Sequence, residues 1–487
     1  MKIKKQLKMA FIYGGLVLFV GVLILLVYAL PSEEKRTAEV VKTKSEQIKA
    51  SKFSMVESTL PGAKGSYVID VKLDNDKKFH ISAEIKVKNE SKESWNDIGF
   101  DFIPNALTKE NKPYTLPNAG EVSITSITKS GKEVQYELTK NKLLIKLDDY
   151  LKPGKSTQVK IEYILELPEN GFRLSRVDNN YYLAHWYPML ANYQNGWNIY
   201  DYYTKGESYD TGFGSYVVSY DLPKEFIVAS SGNEGEVKPT SVGKIEGDNI
   251  KDFYLALLDP KDWISKTLVV NDTTLRLFFP SKEPAIAEQF LKDASDAFAY
   301  FEENIGDNPT QELDIIANTE GGGMEYPNVV EVPSNPQYYE NTLVHEIAHQ
   351  WFYYMVSNNP YNDAWLDESL TVFLTSMYLF DKYKDETTGF DRALRISANQ
   401  SNKKIVNIPH EEFGNGYVAT IYGKVPILLR DFFKEHGGQE EALKFLSAYF
   451  NQFQFKYVDS YIFSVFFNNY FLEDYSEFLE GWLEINQ

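Results

Sequence analysis

Residues 343–368, LVHEIAHQWFYYMVSNNPYNDAWLDE, hold two histidines and two glutamates at spacings that leave little freedom in how the surrounding chain can fold. His345 and His349 are four residues apart. On a helix at about 100° per residue they project from one face one turn apart and can grip a single metal ion, with Glu346 beside the metal rather than on it. Neutral imidazole suits zinc, and a catalytic zinc takes three protein ligands with a fourth position open to water. The third ligand must come from elsewhere, and Glu368 is the candidate. The breaker stretch SNNPYND at 357–363 ends the first helix, and a periodic apolar segment at 365–383 restarts with Glu368 in its first turn. Two packed helices joined by that turn would bring Glu368 to the open side of the histidine pair. With six histidines in 487 residues, chance produces this pattern in about one such chain in a hundred or fewer.

HEIAHQW, with eighteen residues between His349 and Glu368 and the context WLDES, resembles the M1 zinc aminopeptidases, the gluzincin family of aminopeptidase N and leukotriene A4 hydrolase. Upstream, Gly322, Gly323, Met324, Glu325 and Tyr326 look like that family's G-x-M-E-N exopeptidase motif. Downstream, Tyr422, Gly423 and Lys424 look like the start of its Y-x-K-G motif. The resemblance spans roughly 55–487, with two departures: Tyr326 stands for the usual Asn and Val425 for the usual Gly. It implies one zinc ion on His345, His349 and Glu368, Glu346 as general base and Tyr422 as the catalytic tyrosine. Glu325 would receive the free ammonium of a peptide substrate, with Gly322, Gly323 and Met324 beside it. Three glycines at 321–323 let backbone approach a ligand closely, as in an edge strand that pairs with a peptide.

The fold class expected is multidomain α+β. Over 53–262 strand signals dominate: Phe79, Ile81, Ala83, Ile85 and Val87 alternate with mostly polar residues, as do Val159, Ile161, Tyr163, Leu165 and Leu167, between Gly, Pro, Asn and Asp clusters. This predicts an antiparallel, sandwich-like β domain. Its aromatic stretch at 185–203 corresponds, by the resemblance, to a loop region near the catalytic cleft, or else is packing between domains. The turn-forming 259–262 marks a boundary. Over 263–487 the pattern becomes mainly helical, with a helix over 285–304, a strand over 312–317 and a helix ending near Glu435. The resemblance makes this a thermolysin-like zinc peptidase domain, without the large C-terminal helical domain of many relatives.

The first 52 residues read differently. The run 9–30 is 22 residues without a charge, about 33 Å as a helix, enough to span a bilayer. Lys2, Lys4, Lys5 and Lys8 precede it and Glu33 and Glu34 follow, so 1–8 would be cytoplasmic and everything after Leu30 outside. The run is longer than a usual signal-peptide core and lacks a clear A-x-A site, which favours a single-pass cell-membrane anchor. Polar 31–52 then serves as a juxtamembrane linker. With 50 Lys and Arg against 69 Asp and Glu, the chain argues against nucleic acid as a partner. The absence of cysteine excludes disulfides and thiolate sites. The function expected is aminopeptidase action on peptides with a free N-terminus. The alternatives are an endopeptidase on the same zinc chemistry and a non-catalytic peptide-binding ectodomain.

Overall fold

The computed structural model describes residues 57–59, 61–204, 206–318, 322–335, 339–398 and 404–485. The expected cytoplasmic segment 1–8, membrane span 9–30 and linker 31–52 lie outside these residues. Among the described residues no helix is long and apolar enough to cross a membrane. Residues 57–464 and 475–487 form one compact unit, while 465–474, the end of the helix Ser460–Phe471 and the residues after it, belong to another.

Alternation writes the first half into sheets. Ala63–Leu73 and Phe79–Asn89 each bury every second residue, sending Ile69, Val71, Ile81 and Ile85 inward and Lys72 and Lys86 toward water. They pair antiparallel with each other, and Phe79–Asn89 pairs antiparallel with Ser156–Glu166, inside a ten-stranded sheet. A four-stranded sheet that includes Trp95–Asp101 and Lys142–Leu151 sends Ile98, Phe100, Leu143 and Ile145 into the same core. Two sheets thus share one apolar interior, in the manner of a sandwich. The expectation of purely antiparallel pairing is corrected at one place: Ala63–Leu73 runs parallel to Gly214–Ser230. Alternation looks the same for either direction, and partners about 150 residues apart leave no hairpin turn in the sequence to set it.

Beyond Leu255–Leu258, which still belongs to the large sheet, Trp263–Val270 opens a five-stranded one. Its spatial order is Trp263–Val270, Thr273–Pro280, Glu312–Asn318, Val329–Pro333 and Met324–Tyr326, so the last strand lies at the edge. Glu312–Asn318 is buried along almost its whole length, the pattern of a strand covered on both faces. The helix Ala287–Asn304 packs by Phe290, Leu291, Ala294, Ala297, Phe298 and Phe301, a stripe at three- and four-residue spacing. Tyr339–Ala348 lies against this helix and against Val329–Pro333. Helices Leu370–Tyr383, Glu386–Ala398, Val425–Glu435 and Gly438–Phe453 complete the helical C-terminal portion. Two short π-helical turns, Trp365–Ser369 and Ala419–Lys424, interrupt that regularity.

Candidate active site

The two π turns carry Glu368 and Tyr422. Such turns insert one residue per turn and re-aim the side chains they carry, which is why they recur at functional sites. Here Ser369 Oγ donates to the Ile421 carbonyl at 2.6 Å, tying one turn to the other. Trp365, fully buried, donates from Nε1 to Ser460 Oγ at 2.8 Å and fixes the start of the first turn. The sequence places Glu368 in the opening turn of a helix but gives no sign that the turn is a π turn.

The spacing argument holds in space. Nε2 of His345 and Nε2 of His349 face each other at 3.1 Å, and both face Glu368 Oε2, at 3.2 and 3.3 Å. Donors roughly 2.0–2.1 Å from one tetrahedral zinc lie about 3.3–3.4 Å apart, so this triangle suits a single zinc. Tautomer points the same way. His349 Nδ1 lies 3.0 Å from the Phe352 carbonyl and so carries the hydrogen, which leaves a lone pair on Nε2. Tyr422 Oη donates to the other oxygen of Glu368, Oε1. Among the described residues, Glu325, His349 and Glu368 also bring donor atoms within 4.8 Å of one another, as do His345, Glu346 and His349. Glu346 follows His345 directly on the helix and therefore points beside the imidazole pair.

These groups open on a cleft of about 1010 Å³, lined also by Gly322, Gly323, Met324, Glu325, Glu346 and Tyr422. Every chemical residue anticipated from the sequence is on its wall. Met324–Tyr326 is the edge strand, so its outer side has no strand partner among the described residues. Gly321 lies outside the described residues. Nothing lies within 4 Å of where a Gly322 Cβ would stand, whereas a Cβ on Gly323 would stand 1.9 Å from Glu346 Oε1. A side chain at 323 would displace the Glu346 carboxylate, so Gly323 lets strand and carboxylate touch. Tyr326 is buried and stacks on Tyr254 with ring centres 4.2 Å apart, and its carbonyl accepts from Gln350 Nε2 at 3.2 Å. Val425 is buried at the start of its helix.

Electrostatics set the glutamates apart. Burial pushes the Glu346 carboxyl up to about 8, with Glu368 adding to the rise and His349 and Arg392 opposing it. Burial and then the Glu207 charge raise Glu325 well above the carboxylate range. Burial would raise Glu368 too, but the two histidines overcome it and hold that carboxylate below its ordinary range. Among the described residues no cationic side chain pairs with Glu325. A cation at the histidines or an ammonium beside Glu325 would relieve this repulsion.

Sequence reasoning missed Glu207 and Arg173, both on the cleft wall and paired at 2.6 Å. No motif marks either. The one available signal was proximity to the aromatic stretch at 185–203, none of which lines the cleft. That stretch packs instead: Tyr200 stacks on Tyr361 with ring centres 3.9 Å apart and accepts from Asn359 Nδ2 at 2.8 Å. It thereby braces the turn between the two helices of the histidine site. The lining, which includes Phe172 and Arg173 before this stretch, resumes just after it at Thr204.

Fold and site together set an H-E-x-x-H helix and a downstream glutamate around one candidate metal position. Residues 322–482 match the Peptidase family M1 domain. Curated relatives include Tricorn protease-interacting factor F2 of Thermoplasma acidophilum, 28% identical over 229 residues, covering 44% of this chain and 28% of that protein. Another is Aminopeptidase B of Rattus norvegicus, 28% identical over 168 residues, covering 31% of this chain and 26% of that one. The chain thus spans little more than a quarter of the length of these relatives. Among solved structures, an M1 zinc metallopeptidase from Deinococcus radiodurans aligns with TM-score 0.64 at 14% identity, covering 89% of this chain and 96% of that one. Yeast LTA4 hydrolase in complex with bestatin aligns with TM-score 0.61 at 16% identity, covering 88% and 68%. At such identities the likeness is one of fold.

Proposed function

We propose that this chain is a zinc-dependent aminopeptidase that removes N-terminal residues from peptides. His345, His349 and Glu368 would hold the zinc, which when bound supplies Lewis acidity to the scissile carbonyl and makes water acidic near neutral pH. Glu346 takes the proton of the attacking water and returns it to the leaving amine. Tyr422 donates a hydrogen bond to the oxyanion that develops on the carbonyl. Glu325 receives the substrate's ammonium through a charge-assisted hydrogen bond and fixes which peptide bond meets the water, while the edge strand Met324–Tyr326 offers backbone to the peptide.

One observation carries the exopeptidase reading. The Glu325 carboxylate is buried beside His349 and Glu368, and among the described residues no lysine or arginine pairs with it. A free N-terminus is the complementary group, which is what separates this reading from an endopeptidase. Hydrolysis of aminoacyl reporters beside their N-acetylated forms, with and without chelator, tests it. Free-amine reporters should be cut, acetylated ones should not, and chelator should abolish the reaction until zinc is restored. Cleavage of blocked and free substrates at similar rates would favour the endopeptidase. The apolar run 9–30 and its lysines support, from sequence alone, anchorage in the cell membrane with the site outside; recovery of full-length protein in the soluble fraction of cells would refute it.

A further inference from the structure

The cleft has a second charged wall. Arg392, on the helix Glu386–Ala398, lines it together with Thr342 and Ile396. It also lines a small adjoining cavity with Asn341, His345, Ile396 and Tyr422, to which neither Glu325, Glu207 nor the 322–324 backbone contributes. The arginine therefore stands beside His345 and Tyr422, in a recess of the cleft that Glu325 and Glu207 do not line. Its charge bears on His345 and Glu346, whereas burial, Glu207 and the histidine-site groups govern Glu325. Its side chain is exposed, and its Nη1 donates to the neutral Asn341 Oδ1. Among the described residues no carboxylate pairs with it. The cleft's other arginine, Arg173, is already committed to Glu207 at 2.6 Å. A guanidinium has five donors in a planar fork, and one acceptor leaves most of them unused.

We propose that Arg392 is a carboxylate-binding group on the leaving-group side of the cleft, selecting peptides with a carboxylate within a residue or two after the cleaved bond. Such a carboxylate is the C-terminus of a di- or tripeptide or the side chain of an Asp or Glu at those positions. The inference rests on the aminopeptidase reading and adds to it a preference for short or acidic substrates. A zwitterionic peptide lying across the histidine site would place its ammonium at Glu325 and its carboxylate at Arg392, each against the opposite charge.

Binding measured without turnover tests this. In zinc-loaded Glu346→Gln protein, calorimetry with Leu-Ala-Ala, its C-terminal amide and Leu-Glu-amide compares the two sources of carboxylate with a neutral ligand. Leu-Ala-Ala, Leu-Glu-amide or both should bind about 10-fold or more tightly than Leu-Ala-Ala-amide, as expected for one charge-assisted contact in a partly open site. Adding Arg392→Gln should bring that ratio to within about 2-fold, and Arg392→Lys should keep part of it. Equal binding of acids and amide to the Glu346→Gln protein, or a ratio that survives Arg392→Gln, would overturn the proposal. The two readings fail separately. Reporter hydrolysis without acid selectivity sinks only the role of Arg392, and acid selectivity without reporter hydrolysis sinks only the aminopeptidase.

Discussion

Two clusters of buried acids in this protein solve the same electrostatic problem in opposite ways. In the scaffold, Asp314, Glu312 and Glu234 surround Arg276, which is 1% exposed. Its Nη2 donates to Asp314 Oδ2 at 2.7 Å and its Nη1 to the Gly235 carbonyl at 3.0 Å, while Glu312 also accepts from the backbone amides of Glu234 and Gly235. In the cleft, Glu325, Glu346 and Glu368 gather around two imidazoles, and among the described residues no lysine or arginine is paired to them. An acid cluster with its cation built in ties a loop to a sheet. One without it is unfinished until something positive arrives, and that is the physical mark of a site.

If the comparison is right, substitutions in the cleft should cost rate and substitutions in the scaffold cluster should cost stability. The largest effect expected is that of Glu346→Gln. Shape is kept but the proton acceptor is lost, so turnover should fall by ~10³-fold or more with zinc content unchanged; a near-normal rate in metal-replete protein would remove Glu346 from the chemistry. Next, Arg276→Leu should destabilise the fold by about 3 kcal/mol or more in chemical denaturation, because three acids lose their buried partner. Zinc per folded chain should not change. A loss under about 1 kcal/mol would mean that water already neutralises the cluster.

Tyr422→Phe should lower kcat by ~10²-fold, the scale of one oxyanion donor. Because this tyrosine also donates to Glu368, zinc content measured alongside separates its two duties. Retained metal with a slow rate assigns it to the oxyanion, and lost metal assigns it to holding the ligand.

The smallest effect concerns a third buried acid with neither solution. Asp101 accepts from Asn141 Nδ2 at 2.9 Å through Oδ1, while its Oδ2 has no partner. Burial pushes this carboxyl up to about 8, with Asn141 opposing only in part. Its folded-state value lies above the unfolded one, so the fold holds that proton more tightly than the unfolded chain does. The contribution is complete below about pH 4 and is lost as pH rises through about 8. Asp101→Asn should therefore be more stable than the native protein at pH 8.5 by on the order of 1–2 kcal/mol, with the difference shrinking toward pH 4. Melting curves across that range would show a pH-independent difference if Asp101 stays charged when folded.

The contrast also explains what could be read in advance. His345, Glu346 and His349 share one helical turn, so their geometry follows from sequence spacing. Glu368 needed only the further step of placing one residue at a helix start, whereas Tyr422 was legible only through the resemblance of its motif. Glu325 was legible through the resemblance of its glycine-led motif and its place before the histidine helix, and Gly323 is the residue whose Cβ would strike Glu346. Glu207, Arg173 and Arg392 were not legible, since each reaches the cleft from an element whose own pattern reports only its packing. The same holds for Arg276, which sits in a mostly apolar strand and meets partners on two other segments. The parallel pairing of Ala63–Leu73 with Gly214–Ser230 was hidden for the related reason that alternation carries no direction.

Metal uptake tests the claim that the cleft is completed by a cation most directly. Native protein stripped by chelator and dialysed against zinc should take up one ion per chain and melt at a higher temperature for it, since an ion that binds only the folded state stabilises that state. His349→Ala should fold, bind no zinc at the same free concentration and show no such rise. A native chain that takes up no zinc, or a His349→Ala chain that binds it equally well, would contradict the account.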